Sequence, residues 1–89
     1  MDRRLTAVVT GGGRGIGRAI AQALARDGAA VAVVARTSSE LDETVRLIAA
    51  AGGVARAWVA DVTNNMNVRQ IVCEIEQQIG PIDLSLIHI

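Results

Sequence analysis

The chain has 89 residues, 51% of them hydrophobic, with nine arginines balancing nine acidic residues and no lysine, tyrosine or phenylalanine. That length suits one small domain with an ample apolar core, and zero net charge without a clustered basic stripe removes the electrostatic footprint of a nucleic-acid binder. Arg3 and Arg4 precede only the short apolar stretch Leu5 to Val9, too short for a signal-peptide core, and no run approaches membrane-spanning length. A cytoplasmic protein without a membrane or nucleic-acid partner is expected. The single cysteine, Cys73, has no nearby partner and falls opposite the apolar stripe of its helix, so it reads as an ordinary outward thiol. No metal site is expected.

The first strand is predicted over Leu5 to Val9. It runs into Thr10-Gly11-Gly12-Gly13-Arg14-Gly15-Ile16-Gly17, and a helical pattern begins near Ile16, with Ile16, Ile20, Ala23 and Leu24 as its apolar face and an end near Gly28. A second strand is predicted over Ala30 to Ala35. The second helix places Leu41, Val45 and Ile48 in its buried stripe and closes at Gly52-Gly53. The third strand is predicted over Val54 to Ala60, with Trp58 packing beneath a helix. The third helix sets Val68, Ile71, Val72, Ile75 and Ile79 on one side and stops at Gly80-Pro81, since proline cannot continue it. A fourth strand starts at Ile82.

Strands alternating with helices, and strands that are near-continuous apolar runs, predict an α/β fold whose parallel sheet is covered on both faces. Right-handed crossovers give the strand order 3-2-1-4 and place the Gly-rich loop at the switch point between strands 1 and 4, where such folds bind ligands.

The glycine spacing separates three phosphate-binding patterns. A P-loop requires a Gly-Lys-Ser/Thr ending, and the chain has no lysine. Glycines at i, i+2 and i+5 also fail: Gly11 and Gly13 would require glycine at Ile16, and Gly13 and Gly15 would require it at Arg18. Thr-Gly-x-x-x-Gly-x-Gly fits, as Thr10, Gly11, Gly15 and Gly17. On these residues the chain resembles the short-chain dehydrogenase/reductase family, over Leu5 to about Asp83. The resemblance implies the N-terminal half of a Rossmann-type doubly wound sheet (β-α-β-α-β-α-β) that binds a nicotinamide dinucleotide, with Gly11, Gly13, Arg14, Gly15, Ile16 and Gly17 lining the pyrophosphate. Glycines at such a junction let the backbone turn tightly and approach the phosphates, which the helix N-terminus stabilises. The alternative is a plain flexible turn, because glycine is also the default at caps and strained loops.

The end of the second strand carries the residue that discriminates cofactors. An acid there accepts from the adenosine ribose, whereas an arginine accommodates a 2′-phosphate. This chain has Arg36 followed by Thr37 and Ser38, a guanidinium fork with hydroxyls that suits a phosphate monoester. In the family a basic residue at Arg14 accompanies NADP preference, and NADP(H) is therefore expected over NAD(H). Arg36 can also be read as a solvated surface residue, with Thr37 and Glu40 forming only a capping box for the second helix. Asp61 and Val62, after the third strand, resemble the family's adenine-binding pair; Asp61 could equally be a turn residue ahead of a cap at Thr63 or Asn64.

The family pattern breaks near the C-terminus. The resemblance implies Ile-Asp-x-Leu-Val-Asn-Asn-Ala-Gly, but the chain reads Ile82-Asp83-Leu84-Ser85-Leu86-Ile87-His88-Ile89. Leu84 to Ile89 is also the translation of CTG-TCT-CTT-ATA-CAC-ATC, the mosaic end of a transposon used to build sequencing libraries. The organisation expected is a partial dinucleotide-binding domain over residues 1–83 and an adapter-derived tail over 84–89; a genuine divergent strand is the alternative. The family's proton donor is a tyrosine with a lysine four positions later, and neither residue type occurs here.

No catalytic residue is therefore assigned. The parent protein is expected to be an NADP(H)-dependent oxidoreductase that reduces a carbonyl or oxidises an alcohol on a small molecule, and to form homo-oligomers through later helices. This chain is expected to be an inactive cofactor-binding fragment with an unpaired sheet edge and an uncovered apolar sheet face. A non-catalytic NADP(H)-binding module, or a fragment without function, is the other reading.

Overall fold

The computed structural model of the chain describes residues 5–11, 15–60, 65–82 and 84–86. Strands and helices alternate along it: β1 (Thr6–Thr10), α1 (Gly15–Arg26), β2 (Ala30–Ala35), α2 (Ser38–Ala50), β3 (Val54–Val59), α3 (Asn65–Gln78) and β4 (Leu84–Leu86). All pairings are parallel, in the order β3-β2-β1-β4. The fourth strand begins at Leu84, two residues after the predicted start at Ile82, and pairs Leu84, Ser85 and Leu86 with Ala7, Val8 and Val9.

Burial explains why β1 and β2 read as unbroken apolar runs. Ala7, Val9, Val31 and Val33 face α1 and α2, packing with Ala21, Ala25, Leu41 and Ile48. Val8, Ala32 and Val34 face the other way, beneath α3, with Ile75 fully buried and Ile71, Ile79 and Trp58 beside it. An uncovered apolar face was expected of a half-sheet; β1 and β2 are instead covered on both sides, because α3 alone spans the face opposite α1 and α2. Trp58 lies under α3 as expected and donates its indole N–H to Glu74 Oε1 at 3.1 Å, which satisfies the polar end of a half-buried ring.

β3 departs from the expectation of a doubly covered strand. Val54, Arg56, Ala57 and Val59 are exposed, because this strand forms one border of the described sheet. Arg56 sits at the middle of that border and donates to Gln78 Oε1 at 2.8 Å. A charged, tethered side chain blunts an edge that would otherwise recruit another strand.

The face of α1 is also not the predicted one. Ile16 is 67% exposed and Ala23 is exposed, whereas Gly17, Ala21 and Ala25 are buried, flanked by Ile20 and Leu24. Small residues at every fourth position let the helix axis lie close over β1 and β2, so the seam is cut in glycine and alanine instead of in the larger aliphatics. In α2 the buried stripe is Leu41, Thr44 and Ile48, with Val45 only half-buried; in α3 Ile75 is buried and Val72 is exposed. Cys73 is exposed, as its position opposite the stripe predicts.

Gly53, just beyond α2, lies against both α1 and α2 with no room for a side chain. A Cβ there would lie 2.8 Å from Ile48 Cγ2 and 3.1 Å from Ala25 Cβ. Ile48 is buried and β-branched, so its methyl cannot swing away. Gly53→Ala is expected to lower the free energy of unfolding by about 1–3 kcal/mol, the usual cost of one overpacked group. Denaturant titration of the protein carrying the segment checks this; an unchanged midpoint would mean the Ala25–Ile48 seam can open.

Candidate dinucleotide-binding site

Parallel pairing brings the carboxyl ends of β1, β2 and β3 to one edge of the sheet, and two backbone bonds beyond the ladder hold them in step. Gly11 donates its N–H to the Val34 carbonyl at 2.7 Å, and Ala60 donates to the Ala35 carbonyl at 2.9 Å. The turn leaving β1, the Arg36 segment leaving β2 and the chain leaving β3 therefore start side by side. α1 begins at Gly15, five residues after β1 ends, so the positive end of its dipole lies at this edge of the sheet.

Gly11 and Gly15 carry φ values of +73° and +62°, a region that side-chain-bearing residues enter only at a cost of roughly 1 kcal/mol or more. A Cβ on Gly15 would meet nothing within 4 Å. The glycine is therefore demanded by backbone conformation, with open space above it among the described residues. That combination fits a position where a ligand's phosphates approach the main chain. Gly17, two residues on, is buried against the sheet and lets α1 descend onto it, and Ile16 between them projects outward, 67% exposed. Gly13 and Arg14 lie outside the described residues, as do Asp61 and Val62.

Arg36 follows β2 immediately and is exposed together with Thr37 and Ser38. Thr37 occupies the N-cap of α2 in extended conformation (φ −112°, ψ 112°), but its side chain makes no cap hydrogen bond. The Thr37–Glu40 capping box of the alternative reading is thus not formed on the threonine side. The hydroxyl that would have closed it stays at the same surface as the Arg36 guanidinium and the Ser38 hydroxyl. One cation and two hydroxyls at the start of a helix form a donor set matched to a phosphate monoester.

The structure adds two residues that sequence reasoning passed over. Arg18, in the first turns of α1, donates from Nε to Thr44 Oγ1 at 2.9 Å and from Nη2 to the Glu40 carbonyl at 3.2 Å. Thr44 is fully buried and donates in turn to the same Glu40 carbonyl at 3.2 Å. The signal was available as a hydroxyl at Thr44 between Leu41 and Ile48 in the apolar stripe of α2, since a buried hydroxyl requires a partner.

Among the described residues the resolved pKa shifts belong to one pair on the surface of α2. Arg46 donates from Nε to Glu43 Oε1 at 2.9 Å, which holds the Glu43 carboxyl below its ordinary value and raises Arg46. Both are solvated, so the pair adds little to stability. Among the described residues no cluster of His, Cys, Asp and Glu could hold a metal ion, and no helix is long and apolar enough to cross a membrane.

Known proteins share this fold and much of this sequence. The sequence profile of short chain dehydrogenases matches residues 5–87. The chain is 47% identical over 79 residues to the short-chain dehydrogenase/reductase homolog YusS of Bacillus subtilis, covering 88% of this chain and 72% of that protein. A metagenomic short-chain oxidoreductase crystallised in complex with NADP superposes with a TM-score of 0.87 at 36% identity, over 91% of this chain and 37% of that one. The actinorhodin polyketide ketoreductase crystallised with NADPH superposes with a TM-score of 0.92 at 30% identity, over 96% of this chain and 33% of that one. The chain thus spans about a third of most of the proteins it matches. Glycine turn, sheet order and sequence profile agree: the chain belongs to the short chain dehydrogenase family.

Proposed function

We propose that the protein is an NADP(H)-dependent oxidoreductase that interconverts a carbonyl and an alcohol, and that this chain supplies the adenosine-phosphate side of its cofactor site. The observation that carries the reading is Arg36, Thr37 and Ser38 exposed together at the carboxyl end of β2, next to the positive-φ turn of Gly11 and Gly15. NADP and NADPH occupy two of the similar structures, which supports the same cofactor here.

In this reading Gly11, Gly13, Arg14, Gly15, Ile16 and Gly17 receive the pyrophosphate, through main-chain donors and the α1 dipole. Arg36, Thr37 and Ser38 hold the 2′-phosphate, the Asp61 carboxylate accepts from the adenine amine, and the Val62 main chain meets the ring edge. The bound nicotinamide supplies or accepts the hydride. Residues 1–83 form the binding segment, and we assign residues 84–89 to adapter sequence. The β4 ladder asks only for an extended apolar segment opposite Ala7 to Val9, so its formation is compatible with either origin of Leu84 to Leu86.

Equilibrium binding tests the cofactor. NADPH is expected to bind the full-length protein more tightly than NADH, by about tenfold or more, the equivalent of one charge-assisted hydrogen bond. Equal affinities would remove the 2′-phosphate role, and binding of neither would remove the cofactor. For the 89 residues alone a non-catalytic NADP(H)-binding module is the second reading, favoured by the lack of any tyrosine or lysine.

A further inference from the structure

The proposed pyrophosphate turn opens α1, and the proposed 2′-phosphate residues open α2. A dinucleotide joins these two phosphate groups through a single adenosine ribose, so the two helix starts must keep a fixed separation for both to be bound at once. Nothing in the strand ladder sets that separation alone: Arg36 and Thr37 follow β2 outside it, and Ser38 begins α2.

Arg18 bridges the two starts. It stands three residues after Gly15 on α1, and its guanidinium reaches Thr44 Oγ1 at 2.9 Å and the Glu40 carbonyl at 3.2 Å, 26 and 22 residues along the chain. The Glu40 carbonyl belongs to the first turn of α2, two residues after Ser38. Thr44, one turn further on, donates to that same carbonyl at 3.2 Å and has no exposed surface. The contact is therefore a closed triangle of guanidinium, buried hydroxyl and main-chain carbonyl, with each distance in the hydrogen-bonding range. A planar fork held at two points fixes direction as well as distance, which a flexible ammonium would not. Displacement of a binding group by about 1 Å can cost on the order of a hundredfold in the process it supports.

We propose that Arg18, seated on Thr44, is a positioning residue for cofactor choice. It clamps the first turn of α2 to the first turns of α1 and so holds Arg36, Thr37 and Ser38 at the spacing that lets one molecule span both phosphate sites. The inference rests on the assignment of Arg36 to Ser38 to the 2′-phosphate.

The experiment measures, by titration calorimetry on the full-length protein, the affinities for 2′-phosphorylated ADP-ribose and for ADP-ribose, and takes their ratio. Four variants are compared with the parent: Arg36→Ala, Arg18→Met, Thr44→Val and Thr44→Ser. Arg36→Ala reports on the phosphate assignment itself. Arg18→Met removes the fork at a half-buried site with little effect on folding, and Thr44→Val removes the hydroxyl while leaving the Arg18 charge and the buried volume in place. Thr44→Ser keeps the hydroxyl and loses a methyl group, so it is expected to lower the melting temperature and leave the ratio unchanged.

The expected result is a ratio reduced about fivefold by Arg18→Met and by Thr44→Val, the size of one ordinary net hydrogen bond, and reduced further by Arg36→Ala. A ratio lowered by Arg36→Ala alone overturns the positioning role and keeps the phosphate site. A ratio that follows melting temperature, with Thr44→Ser worse than Thr44→Val, also overturns it, because general loosening would then be the cause. An unchanged ratio in Arg36→Ala overturns the phosphate assignment and this inference with it. Should Thr44→Val fail to fold, Arg18→Met decides.

Discussion

Arg36→Asp in the full-length protein is expected to weaken NADPH binding by about a hundredfold to a thousandfold and to leave NADH binding within a few-fold of its starting value. The guanidinium fork can place two N–H donors on one phosphate. Each such charge-assisted bond contributes about 1.5 kcal/mol at a solvated site, and the pair together accounts for two orders of magnitude. The substituted carboxylate adds repulsion toward a dianionic group, about 1 kcal/mol at contact distance in water. Against NADH the same carboxylate is no penalty, since a ribose hydroxyl can donate to it. Arg36 is exposed, so the change should barely affect folding. Parallel loss of both cofactors would place Arg36 outside the phosphate site and return it to the solvated surface.

The second large effect concerns turnover. The 89-residue chain, given NADPH and a ketone, is expected to consume cofactor no faster than the solution reaction. Hydride addition to a carbonyl creates an alkoxide that must be protonated, and a positioned acid contributes about 10²–10⁴-fold to such steps. The chain has no tyrosine and no lysine, and His88 lies outside the described residues, in the segment we assign to adapter sequence. Reading the source DNA past the Asp83 codon gives the matching genetic result. Continuation into Asn-Asn-Ala-Gly and later Tyr-x-x-x-Lys is expected, and the longer product should then oxidise NADPH. A stop codon after Ile89, or turnover by the 89 residues themselves, would sink this reading and leave a short cofactor-binding protein.

What was legible in the sequence was what local rules encode. The β1–α1 junction could be placed to within a residue at each end, Leu5 to Val9 and Ile16 against Thr6–Thr10 and Gly15, because glycines cluster where the backbone takes positive φ, as at Gly11 and Gly15, and the alternation of apolar runs with 3.6-residue stripes pointed to the parallel architecture. Arg36 stands where counting from Gly17 puts it, at the end of β2. The misses share a cause. Helix α1 packs through Gly17, Ala21 and Ala25, small residues that carry little signal in an apolar pattern, so the large side chain of Ile16, 67% exposed, drew the predicted face the wrong way and took Ala23 with it. The Arg18–Thr44 contact joins residues 26 positions apart, and only the fold brings them together. The capping box at Thr37 fits a local motif that the side chain does not adopt.

The two backbone bonds at the sheet edge have a consequence for how such a protein can change over generations. Gly11 and Ala60 anchor the floor of the site through main-chain atoms of Val34 and Ala35, so that floor is indifferent to which side chains stand above it. Arg36, Thr37 and Ser38 lie just past those anchors and are exposed. If Arg36, Thr37 and Ser38 hold the 2′-phosphate as proposed, mutations in this triplet would exchange one coenzyme preference for another with little effect on folding, and selection would be free to match the protein to whichever reductant pool a cell keeps full.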